Sequence, residues 1–352
     1  MKKKSFYNVA VVGAGAIGQY HIKSFRKHPA ARIVALAETS PERGREVAGR
    51  FGIPDLDTDY RDVLRRAEID IVSIALPNYL HAPVALAALQ AGKHVMLDKP
   101  MATNARDAAK LVAEAKRHRR LLMIGQNQRF APTVQTLKQL VDRGALGEVY
   151  HAKAAWLRRS GIPRIGSWFT QKQFAGGGCT YDIGVHVLDQ TLYLMGEFEA
   201  AAVSAQTYAK FGPRGQGDGS WGKSEIDPRK PFDVDDFSVA LIKLRSGRTV
   251  LLEASWAAHQ RVQSSNGTQL FGTAAGATTH PPRLFRPGRK KYTVEPLPSL
   301  PPLVSPDRMV HFINVLLGRE QPFVRPEESL AVQKILDAIY LSAATGREVR
   351  LR

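Results

Sequence analysis

Three sets of residues have types and spacings that can do chemistry. Gly13-Ala14-Gly15-Ala16-Ile17-Gly18 follows the apolar run 8–12 and precedes a helical stretch, 16–27, which places G-x-G-x-x-G between a strand and a helix. Each glycine answers a different requirement, with a tight turn at Gly13, approach of a pyrophosphate to the backbone at Gly15, and close helix-to-strand packing at Gly18. The N–H groups of a helix starting at Ala16 and Ile17 then face the phosphates. Glu38 closes the next β-like run, 20 residues after Gly18, where a carboxylate accepts hydrogen bonds from the adenosine ribose. That carboxylate would repel a 2′-phosphate, so NAD is expected over NADP. Arg43, a few residues on, is the residue that can reach such a phosphate and keeps the second cofactor open.

Lys99 is the second set. It follows the β-like run 93–97, at the carboxyl end of a parallel strand, the edge where open α/β sheets bind ligands. An ammonium there can hydrogen-bond a substrate hydroxyl and stabilise a developing alkoxide. Asp182 and His186 are the third, four apart and so on one face of a helix, behind Gly176-Gly177-Gly178, which reads as a flexible lead-in. An imidazole near its reference pKa of about 6.5 accepts a hydroxyl proton at neutral pH, which makes His186 the candidate base, with Asp182 able to orient either the substrate or the imidazole. Cys179, Asp182 and His186 also fall at i, i+3 and i+7, a spacing that aligns three metal ligands. Lys99 would duplicate the Lewis acid's role, so no metal is expected.

The elements that must hold these residues alternate. Further β-like runs at 32–37, 69–76 and 121–124 are separated by helical stretches such as 83–91 and 105–119, the pattern of a parallel sheet covered on both faces. Pro83 suits a first helical turn, Gly92 the position past a helix end, and Asn104 with Asp107 resembles a capping box. With 352 residues the chain has length for two domains, and its 44% hydrophobic and 23% charged content excludes a disordered or collagen-like chain.

Three more segments resemble the glucose-fructose oxidoreductase and inositol dehydrogenase family, Gfo/Idh/MocA, over nearly the whole chain. They are Leu76-Pro77-Asn78 with His81, Ala91-Gly92-Lys93-His94-Val95 leading into Asp98-Lys99-Pro100, and Gly176-Gly177-Gly178 before Asp182-Ile183-Gly184-Val185-His186. The resemblance implies an α/β fold with an N-terminal Rossmann dinucleotide-binding domain, 1–125. It implies a C-terminal α+β domain, 126–352, whose large, mostly antiparallel open sheet binds substrate and mediates oligomer formation. It assigns Lys99, Asp182 and His186 to catalysis. With the turn residues, Glu38 and Arg43, it implies that Leu76, Pro77, Asn78, His81, Asp98 and Lys99 line the cofactor. It also implies a cis Lys99-Pro100 bond. The family's Glu-Lys-Pro is Asp-Lys-Pro here, so the acid is one methylene shorter and its contacts stay open. Gln126 and Trp168 are weaker cofactor candidates that fit core or rim equally, and Arg129-Phe130 suit a structural role linking the domains.

In the second half, β-like stretches at 148–156, 199–208, 236–244 and 248–258 alternate as in an antiparallel sheet. Phe237, Val239 and Leu241 lie on one side, and Ile242 and Leu244 on the other. A sheet apolar on both faces needs two coverings, so a homodimer or homotetramer is expected. Irregular segments at 212–231 and 280–306, the latter with 8 prolines, read as long loops, and helices at about 307–317 and 327–344 close the chain.

The net charge of +18 divides almost evenly, 24 Lys and Arg against 14 Asp and Glu in 1–150, and 26 against 18 after it. The clusters at 116–120 and 286–291 are short, so the charge reads as solvated surface rather than a nucleic-acid footprint. No apolar run approaches the roughly 20 residues of a membrane span. The cluster Lys2-Lys3-Lys4 leads only into the short run 9–12, and Cys179 is the single cysteine, so a cytoplasmic protein is expected. The resulting expectation is an NAD-dependent dehydrogenase of a sugar, sugar derivative or cyclic polyol. The alternative is a glycoside hydrolase that retains NAD through transient oxidation and elimination, and a cofactor or sugar sensor is the non-enzyme reading.

Overall fold

The computed structural model describes residues 4–219, 227, 229–288 and 291–351. Lys2 and Lys3, part of the Gly-rich segment 212–231, and Arg289 and Lys290 of the second basic cluster lie outside the described residues. The chain forms two compact units, 1–125 with 304–330, and 126–303 with 331–352.

The first unit alternates as the periodicity requires: β1 (Tyr7–Val12), α1 (Ala16–Phe25), β2 (Ala31–Ala37), α2 (Pro41–Phe51), β3 (Asp55–Asp57), α3 (Tyr60–Arg65), β4 (Ile71–Ile74), α4 (His81–Gln90), β5 (His94–Leu97), α5 (Ala105–His118) and β6 (Leu122–Ile124). The strands are all parallel in the order β3-β2-β1-β4-β5-β6. The order reverses between β1 and β4, and the loops leaving their carboxyl ends carry the glycine turn and Leu76-Pro77-Asn78. Continuous apolar runs fit strands buried on both faces: Val9, Val11, Ile71, Val72, Val95 and Leu97 are all inaccessible. Local caps set the helix ends. Ser40 accepts from Arg43 N at 3.3 Å ahead of Pro41, and Asn104 Oδ1 accepts from Asp107 N at 2.9 Å; the return bond of the expected capping box is made by the Asn104 side-chain Nδ2, which donates to Asp107 Oδ2 at 2.9 Å.

The second unit comprises α6 (Pro132–Asp142), β7 (Val149–Arg158), α7 (Lys172–Ala175), α8 (Val185–Met195), β8 (Ala200–Tyr208), β9 (Phe237–Leu244), β10 (Thr249–Ser255), β11 (Ser264–Gly272), β12 (Gly276–Thr279), β13 (Pro282–Arg286), β14 (Thr293–Pro296), and, after the returning segment, most of a long helix and a terminal strand. Its nine-stranded sheet is antiparallel except where β10 pairs with β7. One face, with Ala152, Ala154, Ile242, Leu252 and Leu270, is buried. The opposite face holds Phe237, Val239, Leu241 and Leu251, and Leu241 is 39% exposed.

Two expectations change here. Part of the segment read as loop at 280–306 forms β13 and β14, which extend the sheet by backbone pairing despite their prolines. Residues 304–330, placed by sequence with the second domain, belong to the first unit. Helix α9 (Arg308–Leu316) packs on α1, with Phe312 edge-on to Phe25 at 6.4 Å and Lys27 bonding Asp307 at 2.8 Å. An apolar stripe that completes a neighbour's core carries no local mark of which domain owns it. Helix α10 (Pro326–Thr345) and β15 (Val349–Arg350) end the chain.

Candidate active site

In the first unit two of the three glycines are sterically required. Gly13 has φ +100°, and a methyl group there would lie 2.3 Å from Ala75 O; at Gly18 it would lie 1.8 Å from Gly13 O. At Gly15 it would meet nothing within 4 Å, so this glycine leaves open space at the start of α1. That helix has no side-chain cap, and Ile17 in its first turn is 44% exposed. An open cradle at an uncapped helix N-terminus fits the pyrophosphate of a dinucleotide. Glu38 is buried at the end of β2. Its Oε2 accepts from Ala14 N at 2.9 Å, and its Oε1 from Ser40 N and the Arg43 guanidinium, each at 3.0 Å. Burial raises the Glu38 pKa, but Arg43 and the two backbone donors outweigh it and hold the carboxyl below its usual range. Arg43, the residue expected to reach a 2′-phosphate, thus bonds the Glu38 carboxylate.

Beyond β4, Asn78 is buried and opens a single 3₁₀ turn behind Pro77. His81 braces two loops, its Nδ1 lying 2.6 Å from Pro100 O and its Nε2 2.8 Å from Leu76 O. The Lys99-Pro100 bond is cis, and Lys99 is half-buried just past β5. Asp98 faces Arg308 of α9 at 3.4 Å and His21 of α1 at 3.9 Å.

In the second unit Asp182 lies in a π-turn over Thr180–Gly184 that runs directly into α8, and His186 is the second residue of that helix. Asp182 Oδ2 accepts from the indole N–H of fully buried Trp256 at 2.8 Å. The His186 ring lies 5.7 Å from that of Trp156 on β7. Both Asp182 and His186 are buried. The glycines before them are clamped rather than flexible. Gly178 N donates to Asp235 Oδ1 at 2.8 Å, and a methyl group would lie 2.1 Å from Tyr340 Oη at Gly177 and 1.9 Å from Asp235 O at Gly178. Small size is needed here for close approach.

Asp235 also accepts from Thr180 N at 3.0 Å, Thr180 Oγ1 at 2.7 Å, Cys179 Sγ at 3.0 Å and Tyr340 Oη. Burial, with Asp235 beside it, pushes the Cys179 thiol well above its usual range. Its proton is thus held toward that carboxylate and the Ala254 carbonyl, and no group of three metal-ligating side chains occurs among the described residues. Gln126 is 2% exposed, with no partner for Oε1 among the described residues. Trp168 stacks on Phe169 at 3.8 Å. Arg129, also buried, makes a two-pronged pair with Asp189 at 2.7 and 2.6 Å inside the second unit.

Sequence reasoning missed Trp256, Trp156, Asp235, Tyr340 and Arg308. The one available signal was Asp235-Asp236, two acids directly ahead of β9, where a solvated turn is the ordinary reading.

Residues 7–126 match the GFO_IDH_MocA description, "Oxidoreductase family, NAD-binding Rossmann fold", and residues 134–278 match the GFO/IDH/MocA C-terminal domain. The chain is 31% identical over 349 residues to D-glucoside 3-dehydrogenase of Escherichia coli K12, covering 97% of each protein. It is 32% identical over 268 residues to levoglucosan dehydrogenase of Pseudarthrobacter phenanthrenivorans, covering 72% of this chain and 68% of the relative. Among solved structures, levoglucosan dehydrogenase in complex with NADH superposes with a TM-score of 0.83 at 26% identity, over 98% of this chain and 99% of the other. With both domains matched and a relative 31% identical over nearly its whole length, the chain belongs to the Gfo/Idh/MocA family of NAD-binding oxidoreductases, enzymes acting on CH–OH groups.

Proposed function

We propose that this protein oxidises a secondary hydroxyl on the ring of a sugar or glycoside, with NAD as acceptor. The observation that carries the reading is the anchored pair in the second unit, a buried carboxylate fixed by the Trp256 indole at 2.8 Å and an imidazole four residues on. The two relatives named above, a D-glucoside 3-dehydrogenase and a levoglucosan dehydrogenase, support a carbohydrate substrate.

When bound, NAD supplies the hydride acceptor. Gly15 and the first N–H groups of α1 would hold its pyrophosphate, and Glu38 its adenosine ribose. In the second unit His186 takes a hydroxyl proton as general base and Asp182 orients the alcohol; in the first, Lys99 carries an ammonium suited to stabilising the negative charge of an alkoxide.

The decisive experiment is a panel of monosaccharides, inositols and aryl glycosides, with NADH absorbance and released phenol followed together. Wild type should form NADH in proportion to substrate consumed, and Lys99→Ala and His186→Ala should each lower kcat by about 10²–10⁴-fold. Phenol released without net NADH would replace the dehydrogenase by the hydrolase with retained NAD. Full activity in both variants would remove the mechanism.

We also infer that a second copy of the chain covers the outer sheet face around Leu241, giving a homodimer or homotetramer. No described helix is long and apolar enough to cross a membrane.

A further inference from the structure

The buried face of the nine-stranded sheet changes character at one end. Residues of β7 and β11 that stand opposite each other share a face. Down that face the pairs are Ala152 with Leu270, Ala154 with Thr268, Trp156 with Asn266 and Arg158 with Ser264. The first pair is apolar and inaccessible. In the second, Thr268 Oγ1 accepts from Gln190 Nε2 of α8 at 2.9 Å and bonds Thr191 Oγ1 at 2.6 Å. The last two carry an indole, an amide, a guanidinium and a hydroxyl where a core would continue with apolar side chains.

This polar end adjoins the candidate base. The Trp156 ring, 5.7 Å from that of His186, packs on the core cluster containing Trp256, the residue that holds Asp182. The half-buried Arg158 guanidinium lies 5.1 Å from the centre of the Trp156 ring, and a methyl group at Gly161 would lie 2.6 Å from Arg158 Cδ, so a glycine there leaves room for the side chain. Arg158 and Ser264, with Ser160 and Gln263, line a cavity of about 390 Å³, within the range of roughly 300–1,000 Å³ for small-molecule sites. Its wall is tied together: Gln263 Nε2 donates to Ser160 O at 3.1 Å, and Ser160 Oγ to Asp218 O at 3.0 Å. The Asp218 carboxylate accepts from Ile165 N at 2.9 Å. Among the described residues Arg158 contacts the Trp156 ring and, through Nη1, the Gly161 carbonyl at 3.4 Å; neither is a carboxylate.

We propose that this end of the sheet is a subsite for an anionic group on the substrate, a carboxylate or a phosphate, and that Arg158 is the residue that selects it. The ring to be oxidised lies against Trp156, next to His186, and its acidic substituent reaches the guanidinium one side chain further along the same face of β7. A planar fork of N–H donors matches either anion, and a half-buried charge is stabilised by a counter-charge. The net charge of +18 acts in the same direction, by raising the concentration of anions near the surface. The proposal rests on the roles given to Asp182 and His186 above, and it narrows the substrate class to acidic sugars.

The experiment measures binding without turnover, by isothermal titration calorimetry on the NADH-loaded protein. The probes are methyl glucoside, methyl glucuronoside and methyl glucoside 6-phosphate, which share one ring and differ only in a neutral, carboxylate or phosphate substituent. In wild type one acidic probe should bind about 10- to 100-fold tighter than the neutral one, the worth of a charge-assisted hydrogen bond, and the tighter of the two identifies the anion. Arg158→Gln should remove that margin and leave the affinity for methyl glucoside within about 2-fold, a surface-sized effect. In turnover of the acidic sugar the same variant should raise KM with kcat nearly unchanged. Equal affinity for all three probes, no measurable binding of any, or a margin that survives in Arg158→Gln overturns the proposal. Should Arg158→Gln fail to fold, Ser264→Asp decides: a carboxylate opposite Arg158 should cancel the margin, and a margin that persists overturns the proposal. Failure of the dehydrogenase reading would show separately, as a wild type that binds an acidic probe with this margin yet forms no NADH from any sugar.

Discussion

Replacing Asp235 by Asn tests whether the helix start bearing Asp182 and His186 is held by one buried carboxylate. Oδ1 accepts from Gly178 N at 2.8 Å and from Tyr340 Oη, and Oδ2 from Cys179 Sγ and Thr180 N at 3.0 Å and Thr180 Oγ1 at 2.7 Å. Asn keeps the shape but turns one acceptor into a donor. With its N–H₂ group in the Oδ2 position the amide orphans Thr180 N–H; in the Oδ1 position it faces Gly178 N–H, which is left with only its 3.1 Å bond to Tyr340 Oη. An orphaned buried donor costs about 1–3 kcal/mol, and each surviving bond to a charged acceptor loses roughly 1 kcal/mol on becoming neutral. The sum is about 3–5 kcal/mol, and at about 2–4 °C per kcal/mol for a unit of this size, Tm should fall by roughly 10 °C. Scanning calorimetry reads the stability change. Steady-state kinetics on the same preparation should show kcat falling by more than KM rises, because the clamp holds the residues that move the proton. A Tm within about 2 °C of wild type, a change of roughly 1 kcal/mol or less, would refute the reasoning, as would normal kcat.

Other consequences are open to measurement. Gly18→Ala puts a methyl group 1.8 Å from Gly13 O, so the turn must open; NADH affinity by fluorescence titration should drop by about 10-fold or more, consistent with an overpacking cost of roughly 1–3 kcal/mol, and unchanged affinity would contradict the fit of the cradle. His21 has its pKa lowered to about 3, chiefly by burial, so its neutral form favours folding above the unfolded value of about 6.5, and that contribution is lost as pH falls toward 3. His21→Gln should therefore flatten the decline of Tm between pH 6.5 and 4, and an identical slope would count against it. Leu241→Arg on the outer sheet face should shift the mass seen by light scattering toward the monomer; a monomeric wild type at micromolar concentration would end the dimer inference.

Local periodicity was enough for the first unit's alternation, because parallel strands buried on both faces and amphipathic helices leave their pattern in neighbouring residues. The glycine turn and the strand-end place of Lys99 were legible for a related reason, since both follow from short-range pattern; Asp182 and His186 were read as one face of a helix, whereas Asp182 lies in the π-turn ahead of α8. Strand β11 was not legible. It reads Ser264-Ser265-Asn266-Gly267, polar at its start, yet pairs along its length with β7. Tertiary structure alone decided that α9 returns to the first unit, that Arg308 meets Asp98 across 210 positions, that Trp256 holds Asp182, and that the triple glycine is gripped by Asp235 and Tyr340. Those partners lie from 57 to 210 residues apart in the chain, and what brings them together is the energy of burying charge and indole with a partner rather than without one. Such an energy is a property of the assembled interior, and no local window of sequence contains it.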